Sequence, residues 1–181
     1  MNLGTAALRG IVGPLFVGHG TQKLFGWFGG HGIEGTAGFF ESIGLRPGRK
    51  HATAAGAAEA GGGALLALGF LTPAAAASLI GVMSTAIRKV HGSKGPWVTD
   101  GGYEYNLALI AIMVALADVG PGDLSFDHAL GIEVKGPLVA LLALAAGIGG
   151  AAVLTGGGAQ PPEPSPAPTD TPQEAEAAAT V

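Results

Sequence analysis

Five side chains that carry charge or exchange protons stand out because long apolar runs surround them: His19, Lys23, Glu59, His91 and Glu104. An ionisable group at mid-depth in a membrane costs at least about 2.5 kcal/mol, so each needs a partner, water or a task. At about 100° per residue, Arg9, His19 and Lys23 fall within an arc of roughly 80° of one helix, which gives it a single polar stripe. His19 lies about as far before the end of its apolar segment as Glu59 lies after the start of the next. An antiparallel pair would therefore set the two at one depth. Lys23, Arg88, His91 and Glu104 belong to segment ends on that same side.

Two chemistries fit this set. In the first, His19, Lys23, Glu59, His91 and Glu104 form a site for proton-coupled binding, for example of a quinone head group held through its carbonyl oxygens beside a titrating acid. In the second, Lys23 pairs with Glu59 or with Glu104, which satisfies buried charge and fixes helix register. Metal or haem ligation has less to support it, because the five histidines show no paired ligand spacing and no metal site is expected. Catalytic residues are not identifiable from the sequence.

Several chemistries are excluded. The chain has no cysteine, so it cannot exchange disulfides or hold a thiolate-ligated iron–sulfur cluster, and redox chemistry would need a bound cofactor or a partner. Gly18-His19-Gly20 and Gly61-Gly62-Gly63 lie inside apolar segments with no strand before them, the wrong setting for a phosphate cradle. Ser78 and Ser84 have no acid–base neighbours that would make either a nucleophile. No basic patch dominates any segment, which argues against nucleic acid as a partner.

The elements that must position these groups are apolar and long. Of 181 residues, 48% are hydrophobic and 12% charged, half of the roughly 25% usual in soluble domains. Mean hydropathy is +0.45. Spans are expected at about 4–27, 52–71, 74–90 and 103–119, with a short interfacial helix near 36–43. A further apolar run at 137–154 is just long enough for a fifth crossing. Arg88 and Lys89, at the end of the third span, would snorkel to the headgroups. Glycine and alanine in the first two spans permit close helix packing. Four of the thirteen acidic residues lie in the Pro- and Ala-rich stretch after 156, leaving nine acids and nine bases in the rest.

The expected fold is all-α: a transmembrane four-helix bundle over 1–120, a polar connection and fifth transmembrane helix over 121–155, and a disordered tail over 156–181. The first and third connections carry Arg46, Arg49, Lys50, Arg88, Lys89 and Lys94, so positive-inside counting places them in the cytoplasm and the N-terminus outside.

Arg9 followed by Gly18-His19-Gly20-Thr21-Gln22-Lys23-Leu24-Phe25-Gly26 resembles the opening of DoxX-family membrane proteins. Gly44-Leu45-Arg46-Pro47, then Ala57-Ala58-Glu59 with glycines after it, then His91 and Gly101-Gly102-Tyr103-Glu104-Tyr105, resemble later family features in the same order. The likeness covers roughly 3–117. It implies a multi-pass four-helix bundle in the bacterial plasma membrane and a role near membrane redox chemistry, as a quinone-linked oxidoreductase or its accessory subunit. The lipid bilayer is the implied surrounding, with a redox-complex partner or a second copy as company. A structural or assembly subunit, and a small-solute or proton transporter, are the competing readings. The missing cysteines and the run from Pro137 depart from the family pattern.

Overall fold

A computed structural model describes residues 2–132 and 134–156, and the described residues form helices without strands. The acidic tail expected to be disordered lies outside the described residues, apart from Gly156.

Helix α1 (Leu3–Phe25) stops where Gly26 adopts φ 74°, its N–H bonded to the Gln22 carbonyl. α2 (Gly32–Ser42) is short. α3 (Gly48–Leu68) closes in a Schellman turn: Gly69, at φ 63°, donates to Leu66 O and Phe70 donates to Leu65 O. α4 (Thr72–Ala86) starts at once, with Pro73 in its first turn, where the lost N–H costs nothing. It runs on into a π-helical turn over Ile87–His91. α5 (Glu104–Val119) and the single turn α6 (Phe126–Ala129) precede α7 (Pro137–Gly156).

α1 packs along α3, α3 along α4, and α4 along both α5 and α7, while α2 lies across α3 and α1. Val12, Phe16, Leu66, Leu79, Ile80, Met113 and Leu116 fill the shared core. Glycine sets the α1–α3 distance. A Cβ on Gly13 would lie 2.7 Å from the Gly63 carbonyl and the Ala67 amide, and one on Gly20 would strike the Ala60 amide. The pairing of 13 with 63 and 67, and of 20 with 56 and 60, shows that the helices run antiparallel. Close backbone approach of this kind improves dispersion contact where hydrophobicity alone gives little.

The expected four or five transmembrane helices are not what the chain forms. Among the described residues one helix is both long and apolar enough to cross a membrane: α7, with 20 residues and a mean hydropathy of 2.3. Its 20 residues span about 30 Å, the hydrocarbon thickness. α4 and α5 have 15 and 16 residues, so at about 1.5 Å each they fall short of that. The π turn that prolongs α4 brings in Arg88, Lys89 and His91. α1 and α3 are long enough, but Arg9, His19, Gln22 and Lys23 in one, and Arg49, Lys50, His51 and Glu59 in the other, make them too polar on average. The protein is therefore an all-α, membrane-associated fold with one candidate spanning helix. One candidate span does not make the multi-pass plasma-membrane protein expected from the sequence, and the orientation expected from the loops between four spans falls with them. α7 exposes Leu138, Leu141, Leu142, Ile148 and Val153. Its inner side meets α4 where Gly147 fits against Ile80 and the Ala77 carbonyl.

Gly20→Ala is expected to lower stability by about 1–3 kcal/mol through overpacking. Gly18→Ala, whose Cβ meets nothing within 4 Å, should be neutral or slightly stabilising because alanine favours helix. Thermal unfolding of both variants in the same detergent checks the contrast, and equal effects would deny that α1 and α3 touch through glycine.

Candidate functional site

Lys23 occupies the last turn of α1 and Glu59 the middle of α3. Because Gly20 and Gly56 carry no side chains, the helices approach closely enough for Lys23 Nζ to donate to Glu59 Oε2 at 2.5 Å. The Glu59 side chain is 4% exposed and that of Lys23 25%. The pair is therefore asymmetric: the lysine reaches water and the carboxylate does not. Burial pushes the Glu59 carboxyl up from its ordinary value, and Lys23 pulls against that shift, with a smaller pull from His19.

This pair stands at the edge of a cavity of about 600 Å³ bounded by α2, α3, α4 with its π turn, and α7. Phe39, Phe40, Ile43, Val82, Met83 and Leu154 make most of its wall apolar, and Lys23, Glu59, His51, Lys89 and His91 supply the polar part. Pockets for small organic ligands share this size and this mixture of an apolar wall with a few polar groups. The π turn accounts for two of those groups. A π insertion rotates the residues after it out of α-helical register, and such insertions concentrate at functional sites.

Both cavity histidines are anchored by carbonyls, which only accept. His91 Nδ1 lies 2.7 Å from Gly101 O and His51 Nε2 lies 3.3 Å from Arg46 O, so each of these nitrogens carries the proton. In the neutral rings, His91 Nε2 and His51 Nδ1 are left as acceptors.

Of the residues singled out in the sequence, the cavity brings together Lys23, Glu59 and His91. His19 is exposed and bonded to Gln22. Glu104 accepts from the Val98 amide at 2.7 Å and organises the loop before α5. Arg88 is exposed. Arg9 lies at the far end of α1 from Lys23, 3% exposed, donating to the carbonyls of Pro121, Ala67 and Leu124. Beside it, buried Asp127 accepts from the amides of Leu71 and Thr72 and from the Thr72 hydroxyl. That carboxylate caps the start of α4 and so belongs to the framework. Sequence reasoning missed His51, Lys89 and Asp127. His51 precedes Glu59 by eight positions, about 80° apart on one helix, a signal that was readable. Asp127 carried none. Among the described residues no group of three His, Asp or Glu is placed to hold a metal.

The DoxX family model matches residues 4–92, which contain α1 to α4, the π turn, the Lys23–Glu59 pair and both cavity histidines. The chain belongs to the DoxX family. No curated protein and no solved structure matches it. Within this DoxX chain, every polar group of the cavity falls inside the matched segment, and α7, which closes one side, lies beyond it.

Lys23→Met should cost about 3 kcal/mol, because it strands the Glu59 carboxylate away from water. Glu59→Gln should cost less, since Lys23 reaches solvent, and Lys23→Met with Glu59→Gln should recover most of the single loss. The raised carboxyl fixes the sign of the pH effect. In Lys23→Met the penalty is greatest at high pH and shrinks as pH falls through the folded-state value of Glu59, where the acid takes up a proton. Denaturation midpoints across pH for the three variants check this.

Proposed function

We propose that this chain is a ligand-binding subunit serving membrane redox chemistry, and that its cavity takes a lipid-soluble quinone. The supporting observation is the cavity itself: an apolar chamber with a Lys–Glu pair and a histidine acceptor at its polar part, in a membrane-associated fold. An aromatic head group fits against Phe39 and Phe40. Lys23 has a further N–H to offer a carbonyl oxygen, and His91 Nε2 can accept from a hydroxyl. A bound quinone would supply the electron carriage that thiols cannot supply in this cysteine-free chain. The protein's share is to orient the ring, exclude water and hold protons at Glu59 and His91.

A structural or assembly subunit is the second reading, and one fact favours it: Lys23 and Glu59 already satisfy each other without a ligand. Titrating the purified protein with a short-chain benzoquinone separates the two. The redox reading expects saturable binding near one per chain, weakened at least about tenfold by Glu59→Gln, a loss of about 1.4 kcal/mol. It also expects loss of binding in Gly150→Leu, which fills the cavity from a position with open space around it. Binding that is absent, or indifferent to both substitutions, leaves the structural subunit.

A further inference from the structure

Lys89 is a charged cavity group that the quinone reading does not use. It is half-buried in the π turn and lines the same chamber. Lys23 pairs with Glu59 and Arg49 with Glu34, and neither pair involves Lys89. The remaining polar groups of the wall do not neutralise it. Glu59 is held by Lys23, while His51 and His91 bring no negative charge. The chamber thus has two cations and one carboxylate, with the surplus positive charge facing an apolar space.

We propose that the cavity also accepts a single-chain amphiphile with a carboxylate head, the head at Lys89 and the tail along the apolar wall between α3, α4 and α7. Charge complementarity selects the head, because a carboxylate supplies the counter-charge that Lys89 lacks in the protein. Volume selects one chain. About 600 Å³ holds a fatty-acid-sized molecule and is too small for a two-chain phospholipid. The lining of α7 selects the tail, since Ala146, Gly147, Gly150 and Ala151 leave a smooth groove along the helix able to cross a membrane. The inference rests on the reading of this cavity as a ligand site, and it names a ligand class apart from quinones.

The test compares dodecanoate with dodecanol, equal in chain length, titrated into the full-length protein in a neutral detergent. The expected result is at least about tenfold tighter binding of the carboxylate, the ratio that 1.4 kcal/mol produces. Lys89→Met should abolish the preference, Lys89→Arg should keep it, and Gly150→Leu should weaken both ligands. Equal binding of acid and alcohol to the unaltered protein, a preference that survives Lys89→Met, or no binding of either would overturn the proposal. Carboxylate binding without benzoquinone binding would sink the quinone reading and leave this one standing.

Discussion

The close approach of α1 and α3 is the constraint on which the rest depends. At Gly13 and Gly63 each backbone occupies space that a side chain would need, and at Gly20 the backbone of α3 does the same. The contact fixes two things at once. At one end it lays Arg9 against the Ala67 carbonyl in the last turn of α3, where a cation is favoured by the helix dipole. At the other it brings Lys23 within reach of Glu59. A helix pair held a few ångströms further apart would leave a buried carboxylate with no counter-charge.

The cavity follows from the same geometry. α3 gives one face to α1 and another to the chamber, so Glu59 sits at the boundary between packed core and open space. Its charge is disfavoured by burial and favoured by Lys23, and the balance is sensitive to whatever enters beside it. The π turn at the end of α4 then sets Lys89 and His91 on the chamber side. α7 adds a wall through small residues and Leu154, while its Leu138, Leu141, Leu142, Ile148 and Val153 face outward.

Much of this was legible in the sequence, and for physical reasons. Glu59 was one of the two partners expected for Lys23, with Glu104 the other, and Lys23 bonds to Glu59; the family resemblance rested on residues that the family match covers from Arg9 to His91, and on Gly101 to Tyr105 beyond it. The helix positions were close as well: α7 was expected at 137–154 and runs Pro137–Gly156. The error lay in equating apolar helices with membrane crossings. α4 and α5 are apolar but short, and α1 and α3 are long but carry charge, so hydrophobic composition alone overcounted the spans. His19 and Glu104 share the right end of the molecule yet point to local partners, because depth along an axis does not specify direction around it. Asp127 and the π turn were invisible, since one acts across 55 residues and the other is a register shift that no residue type announces.

The central claim is that α1 and α3 meet closely enough to join Lys23 to Glu59 in the membrane-associated protein. Solid-state NMR on the isotope-labelled chain in lipid bilayers tests it most directly, by transferring magnetisation between lysine Nζ and glutamate Cδ. The structure predicts a Lys–Glu cross-peak that Glu59→Gln removes. A well-resolved spectrum of the unaltered protein with no such cross-peak, or with one that survives Glu59→Gln, would contradict it.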